Sequence, residues 1–341
     1  MNQEQEIVIE IRGSVGVITL NRPQALNALS FNMIGLLSAQ LERWREDAAI
    51  MAVFFQGAGD RAFCAGGDIK MAYHAGLAFK KDPAAPSPTD FFRDEYRLNR
   101  MLFHYPKPLI AYMDGITMGG GYGIAGNCRY RIVSDKTVFA MPEVGIGFFP
   151  DVGAAYHLSR AKGRSGFYLG LTGNSVSGAD MVYAGLAEYY IPHADKGKLM
   201  AALGQEDIKA ALGALHVTPQ KGVLEVHASD IDAVFATDDP QVILAEWGGS
   251  DLCKIMTTRS PTSLKISARH LTHAADRSFD ESIEEDFTLA RHCMAGHDIY
   301  EGIRAQLIDK DKSPRWNPAT LDAVSPALVA AHFYSDGKSL G

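Results

Sequence analysis

Two glycine-rich turns and one acid in an apolar setting are the places in this 341-residue chain where chemistry could be done. The first turn is Cys64-Ala65-Gly66-Gly67-Asp68 and the second is Met118-Gly119-Gly120-Gly121-Tyr122-Gly123; each follows a stretch that reads as a strand. Glycine takes positive φ without penalty and lets backbone approach a ligand closely. Two such turns could aim two N–H groups at one point. That is an oxyanion hole, a pair of donors fixed in advance where charge develops on a carbonyl oxygen. Either turn taken alone is equally a tight strand-to-helix connection. The acid is Glu143, whose neighbours Phe139, Met141, Val144, Ile146, Phe148 and Phe149 are apolar. Burial there strips the carboxylate of hydration and raises its pKa, which suits acid–base work. Nucleophilic attack by the ionised form is the other option, and a buried, paired, purely structural carboxylate is the third. Asp151 follows Pro150 and precedes a helical stretch, so it reads as a helix N-cap, as a partner of Glu143, or as both.

Other chemistries find no footing. Gly121-Tyr122-Gly123-Ile124-Ala125-Gly126 matches the dinucleotide pattern GxGxxG. That pattern needs a full helix and then a strand ending in an acid about 20 positions on. Here the next strand begins near Arg129, and Asp135 comes too early. There is no GxSxG elbow, no phosphate-binding GxxxxGK[ST] and no HExxH. His292 and His297 are five apart and share no helix face, so no metal is expected. The four cysteines are scattered without a CxxC and read as buried or idle thiols.

The elements that must carry these residues alternate in the first half. Ile7–Ile11 and Val15–Leu20 read as strands around the turn Gly13-Ser14. Ser30 caps a helix on which Met33, Leu37, Leu41 and Trp44 fall on one face. Met51–Gln56, Leu109–Met113 and Arg129–Val133 read as further strands, so an α/β layer arrangement follows. From about Gly163 the signals are mainly helical. Pro261 stands near a helix start ahead of Leu264, Ile266 and Leu271, and Asp286–Ala295 and Ile299–Ile308 read as two more helices. Lys80–Thr89 reads as an exposed loop and Lys310–Pro318 as irregular. No internal repeat is found. The expected organisation is a core over 1–205 and a helical region over 206–341. The net charge of −7 argues against a nucleic-acid or anionic-membrane partner. The start carries Glu4, Glu6 and Glu10 and resembles neither a signal nor a transit peptide, and apolar runs fall short of the ~20 residues of a membrane span. A cytoplasmic location is expected, or the mitochondrial matrix had a transit peptide been removed.

The order and spacing of these features resemble the crotonase (enoyl-CoA hydratase/isomerase) superfamily. Val17-Ile-Thr-Leu-Asn-Arg-Pro23 with Ala25-Leu-Asn27 is similar to its opening strand and CoA-contacting loop. Ala62–Ile69 and Pro108–Gly123 are similar to its two oxyanion turns, and Ser177–Leu186 to its helix after the core. Phe91–Tyr96, Phe139–Glu143, Phe149–Gly153, Gly296-His-Asp298 and Ile308–Pro314 further resemble the superfamily's 3-hydroxyisobutyryl-CoA hydrolases. The C-terminal pieces extend the resemblance through nearly the whole chain.

The resemblance implies a crotonase-like ββα spiral core followed by a helical C-terminal region. It implies that the N–H groups of Gly67 and Gly120 hold a thioester oxygen and that Glu143 acts at the carbonyl as nucleophile or general base. Asp151 would orient Glu143 or hydrogen-bond a substrate hydroxyl, Glu95 would line the acyl pocket, backbone near Ala25, Ala65 and Asp68 would grip the CoA arm, and Gly66 and Gly119 would also bind substrate. Hydratases of the superfamily use two glutamates; the first matches Gly123 here, which leaves the chain poorly equipped to add water across a double bond. Hydrolysis of a short 3-hydroxyacyl-CoA in valine breakdown is therefore the implied activity. No metal or cofactor is expected beyond the CoA of the substrate, and trimers or hexamers are known of the superfamily. An enoyl-CoA hydratase or isomerase acting through an enolate, and a non-catalytic acyl-CoA binder, are the alternatives.

Overall fold

The computed structural model describes residues 5–203 and 207–341; Glu4 and the expected division at 205/206 lie outside the described residues. The chain forms two compact units that interleave along the sequence, Met1–Gly67, Leu98–Phe139 and Ser175–Val226 in one, Asp68–Arg97, Ala140–Asn174 and His227–Gly341 in the other. A single cut near residue 205 is therefore not how the contacts divide. Compactness follows contact in space, and strand-to-helix crossovers carry the chain back and forth.

The named strands belong to the first unit, β8 ending at its border. They are β1 (Ile7–Arg12), β2 (Val15–Leu20), β3 (Ala52–Gly57), β4 (Ala62–Cys64), β5 (Leu109–Met113), β6 (Ile116–Met118), β7 (Tyr130–Val133), β8 (Val138–Ala140), β9 (Val176–Ser177) and β10 (Tyr189–Tyr190). The β-branched runs either side of Gly13 form an antiparallel hairpin that pairs Ile7 with Leu20 and Arg12 with Val15. From β2 onward the six-stranded sheet β1-β2-β3-β5-β7-β10 is parallel. Strands β2 and β5 read as unbroken apolar runs because almost every residue in them is buried, as in sheets covered on both faces. The helix Phe31–Glu46 buries Met33, Leu37, Leu41 and Trp44, and the Ser30 hydroxyl accepts the Met33 N–H as its cap. Trp44 lies so close to Gly16 that a Cβ there would meet its ring at 2.6 Å.

The short strands β4, β6, β8 and β9 make a second sheet. None of these four reads as a strand in the sequence, since two or three residues carry no alternation to detect. In chain order β3–β4, β5–β6 and β7–β8 each pair a strand of the long sheet with one of the short sheet. A helix or helical turn follows each pair, at Ile69–Lys81, Gly120–Ala125 and Glu143–Ile146, which is the expected ββα repeat. The strands β9 and β10 also fall inside a stretch that reads as mainly helical.

The second unit is helical. Its main helices are Ile69–Lys81, the start of Asp90–Phe103, Ser165–Thr172, Pro261–Ala275 and Phe279–Ala295. Pro261 stands in the first turn after the cap Ser260, as expected. The helix that reads as beginning at Asp286 starts earlier, at Phe279, behind a reciprocal capping box between Ser278 and Glu281 that the S-x-x-E spacing could have shown. Lys80 and Lys81 close the helix Ile69–Lys81 rather than opening the loop. The helix expected over Ile299–Ile308 is Asp298–Ile303 followed by a wider π-turn, Arg304–Ile308. No helix among the described residues is long and apolar enough to cross a membrane.

A Cβ on Gly121 would sit 2.2 Å from the Cys64 carbonyl oxygen, a backbone atom with no rotamer to change. Gly121→Ala is expected to lower unfolding free energy by about 1–3 kcal/mol, the range for overpacking. Urea midpoints of the two proteins measure it, and equal midpoints would contradict this account of the turn.

Candidate active site

Both glycine turns lie in the first unit, and the structure brings them together. A Cβ added to Gly66 would meet the Met118 carbonyl oxygen at 3.3 Å and the Gly120 nitrogen at 3.7 Å. Gly66 has φ +113° and Gly119 φ +47°, both in the region where side chains are strained. The first turn is pinned by Leu29 N–H donating to Gly66 O (2.8 Å) and by Ala65 N–H donating to Leu26 O (3.0 Å). Those bonds join it to the loop of Ala25, where Leu26 and Asn27 are also left-handed. Buried Asn27 holds that loop, donating to the carbonyls of Ala58 (3.0 Å) and Ala62 (2.8 Å). Gly120 opens the helix Gly120–Ala125, whose Tyr122 and Gly123 N–H groups both donate to Gly119 O. Ala25, Ala65, Gly66, Gly67, Gly119 and Gly120 are thus one neighbourhood. Gly123 is tied down from both sides, its carbonyl accepting from Asn99 (3.0 Å) and Asn127 (2.6 Å). Asp68 stands at the cap of Ile69–Lys81.

The acids lie in the second unit. Glu143 begins a helical turn, Glu143–Ile146, closed by Gly147 at φ +77°. A Cβ on Gly147 would clash with Asp298 O at 2.2 Å, so the Gly296-His-Asp298 segment is packed directly on this turn. Ser260 clamps the same place: its N–H donates to Val144 O (3.3 Å) and its hydroxyl to Asp298 Oδ2 (2.6 Å). Asp298 Oδ1 takes the Asn317 N–H (2.8 Å). Further on, Arg304 gathers Asp309 (2.7 Å) and Asp311 (2.6 Å), which folds the irregular lysine-rich segment over its guanidinium. The Gly296-His-Asp298 motif is therefore a support of the Glu143 turn.

Glu95, Glu143 and Asp151 are all buried, at 2%, 6% and 6% exposure. Glu95 Oε1 and Glu143 Oε2 have no hydrogen-bond partner among the described residues. Burial, and then the negative charges of Asp151 and Glu95, hold the Glu143 carboxyl well above the usual carboxylate range. Burial and Asp151 do the same to Glu95. Asp151 is pushed up to about 7, first by burial, against the pull of a hydrogen bond from Tyr96. That bond, Tyr96 Oη–H to Asp151 Oδ2, is 2.6 Å long. Burial and mutual repulsion therefore disfavour charge on all three acids together.

The N-cap reading of Asp151 does not hold. The cap of the helix Ala154–Leu158 is Gly153, and the Asp151 carboxyl is engaged by Tyr96 instead. Residues to which the sequence assigns no role complete the setting of the acids: Tyr96, His270 and Asp286. Asp286 accepts the Gly153 N–H at 2.7 Å and pairs with His270. Neither lies near Asp151 in sequence and neither carries a local motif. The four cysteines are buried and form no disulfide among the described residues, and no group of three or more ligand-type residues among those described could hold a metal.

A family model described as enoyl-CoA hydratase/isomerase matches residues 15–333. The mitochondrial 3-hydroxyisobutyryl-CoA hydrolase of Rattus norvegicus is 39% identical, with 98% of this chain and 89% of that protein covered. The Homo sapiens protein of the same name is also 39% identical, over 98% of this chain and 90% of its own. A crystal structure titled carnitinyl-CoA dehydratase, from Mycobacterium thermoresistibile, superposes with a TM-score of 0.92 at 37% identity, covering 99% of both chains. The crotonase fold expected from the motifs is thereby confirmed.

Asp151 titrates higher folded than free, so the fold favours its protonated form. That contribution is full below the free value near 3.8 and is lost as pH rises through about 7. Asp151→Asn, which stays neutral, is expected to be more stable than the parent at pH 8 by about 1–4 kcal/mol, each tenfold change in proton affinity being worth about 1.4 kcal/mol. The gain should shrink towards pH 4. Denaturant midpoints at pH 4.5 and pH 8 check it, and a gain that does not depend on pH would refute it.

Proposed function

The chain belongs to the enoyl-CoA hydratase/isomerase family, and from that footing we propose that it hydrolyses a short-chain 3-hydroxyacyl-CoA thioester. The substrate in this reading is 3-hydroxyisobutyryl-CoA, the products are 3-hydroxyisobutyrate and CoA, and the reaction is a step of valine breakdown. The observation that carries it is the Glu143 carboxyl, buried and with one oxygen unpartnered among the described residues. The position where the resemblance sets a hydratase's first glutamate holds Gly123 instead. The names of the rat and human relatives support the same reading.

In this reading the N–H groups of Gly67 and Gly120 receive the thioester oxygen, whose negative charge grows as the carbonyl carbon is attacked. Ionised Glu143 either takes a proton from water, whose oxygen adds to the carbon, or adds to it directly. The tetrahedral intermediate collapses by breaking the C–S bond, and the CoA thiolate leaves and takes up a proton. In the direct route an anhydride on Glu143 is then hydrolysed. Asp151 orients Glu143 or bonds the 3-hydroxyl, and Glu95 lines the acyl pocket. Backbone near Ala25, Ala65 and Asp68 holds the CoA arm, and Gly66 and Gly119 also bind substrate. The chemistry so written needs no metal and no cofactor other than the CoA of the substrate, and the matching compartment is the cytoplasm or the mitochondrial matrix. A homo-oligomer, trimeric or hexameric, accompanies this reading.

The dehydratase title of the solved relative favours a second reading, addition or removal of water across a double bond. Following free thiol and enoyl absorbance together over a panel of acyl-CoA esters separates the two. Hydrolysis releases thiol from 3-hydroxyisobutyryl-CoA; hydration bleaches crotonyl-CoA and releases none. Glu143→Gln is expected to lower kcat by about 10²–10⁴, the range for a positioned acid–base group. Because burial raises the Glu143 pKa, the parent kcat/KM should still be climbing with pH above the ordinary carboxylate range. Parent-like turnover by Glu143→Gln would remove the proposed chemistry. Oxygen-18 from water found in Glu143 after a single turnover would establish the anhydride route.

A further inference from the structure

Asp151 sits in a backbone segment that is costly to hold. Val152, a β-branched residue, has φ +57°, and Gly153 after it has φ +77°. A β-branched side chain at positive φ is a genuine outlier, and such conformations persist only where the surroundings over-determine them. Pro150, Asp151, Val152 and Gly153 are all buried, so solvent does not stabilise the bend.

What over-determines it is a buried ion cluster on two helices. The Gly153 N–H donates to Asp286 Oδ2 at 2.7 Å. The other oxygen of Asp286 meets His270 Nε2 at 2.6 Å, and His270 Nδ1 meets Glu285 Oε1 at 2.9 Å. His270 and Asp286 are 1% and 0% exposed. Glu285 is held in turn by Arg277 and by His273 at 3.1 Å. The His270 ring also packs edge-on against Phe149, on the other side of Asp151 in sequence, with centroids 5.6 Å apart. The loop is therefore gripped at both ends, at Phe149 by the ring of His270 and at Gly153 by the carboxylate that this ring orients. A buried carboxylate bonded on one side to imidazolium and on the other to a backbone N–H fixes geometry in the way that partners of active-site groups do.

We propose that His270 and Asp286 are positioning residues, which hold the strained Phe149–Gly153 loop so that the Asp151 carboxyl meets Tyr96 and stands among Glu95 and Glu143. This rests on the hydrolase reading only in its kinetic consequence; the grip itself is independent of substrate. The charged and titratable groups that face Asp151 are Tyr96 and Glu95 on one helix, Glu143 on its turn, His270 on Pro261–Ala275, and Asp286 and Cys293 on Phe279–Ala295. Of these, Asp286 pushes the Asp151 carboxyl up and His270 pulls it down.

Two substitutions separate the parts. Asp286→Asn removes the charge and leaves a single oxygen for the two donors that Asp286 serves, the Gly153 N–H and the His270 Nε2–H. The Asp151 carboxyl, followed by carbon-13 NMR in uniformly labelled protein and assigned with Asp151→Asn, is expected to shift its titration by at least half a pH unit. Asp286→Ala removes the acceptor as well. It is expected to raise the hydrogen-exchange rate of the Gly153 amide at least ten-fold and to lower kcat at least ten-fold with KM changed less than three-fold. An unmoved Asp151 titration in Asp286→Asn overturns the proposal, and so does parent-like Gly153 exchange in folded Asp286→Ala. Should Asp286→Ala not fold, the titration in Asp286→Asn decides alone. Absence of thiol release by the parent protein would defeat the hydrolase reading and leave both spectroscopic results standing as the test of the grip.

Discussion

Three carboxyl groups kept from water within one compact unit are the constraint around which the rest of that unit is arranged. An unpaired carboxylate in a dry interior is expensive, so such groups give up charge or find donors. Here the donors are rationed. Tyr96 serves Asp151, while Glu95 and Glu143 each keep one oxygen unserved among the described residues. The result is a set of acids that burial and mutual repulsion hold above the usual carboxylate range, Asp151 at about 7. Sites of this kind are where acid–base chemistry is found.

Holding the acids in place takes most of the C-terminal part of the chain. The Glu143 turn is closed by a glycine against the backbone of Asp298 and is clamped by Ser260. The Asp151 loop is closed by a glycine against Phe279 and clamped by Asp286. Both use a left-handed glycine to admit close contact; a later segment then takes a backbone group of each bend, the Ser260 N–H donating to Val144 O and the Asp286 carboxylate accepting the Gly153 N–H. Motifs that look functional in the sequence, Gly296-His-Asp298 among them, act through this support.

The first unit solves a different problem, close approach of backbone to backbone. Gly66 and Gly119 are left-handed, and Gly121 leaves no room for a methyl against Cys64 O. Side chains at these positions would push the two turns apart. The short second sheet exists at this place because β4 and β6 each run straight into one of the turns. Asn27, Asn99 and Asn127 satisfy carbonyls that the tight geometry strands.

Much of this is legible in the residues themselves. The hairpin around Gly13, the buried face of Phe31–Glu46, the three longer parallel strands and the helix start at Pro261 follow from periodicity and capping, which act over a few neighbouring positions. The two glycine turns and the apolar setting of Glu143 are equally visible, because glycine and a lone acid among aromatics are local signals. The strands of two or three residues are not, since no period fits in them, and apolar spacing alone starts the helix at Phe279 too late because its first turn is marked by a capping box instead. The interleaving of the units is beyond sequence patterns, for compactness depends on which distant stretches touch. So are the roles of His270 and Asp286: nothing near them in the chain marks them, and they matter only because folding sets their helices against the Asp151 loop. Residue type and spacing determined which groups are able to do chemistry. Tertiary packing alone decided how far they are dehydrated, which of them repel one another and what holds each in place, because burial and Coulomb coupling depend on distance through space and not on separation along the chain.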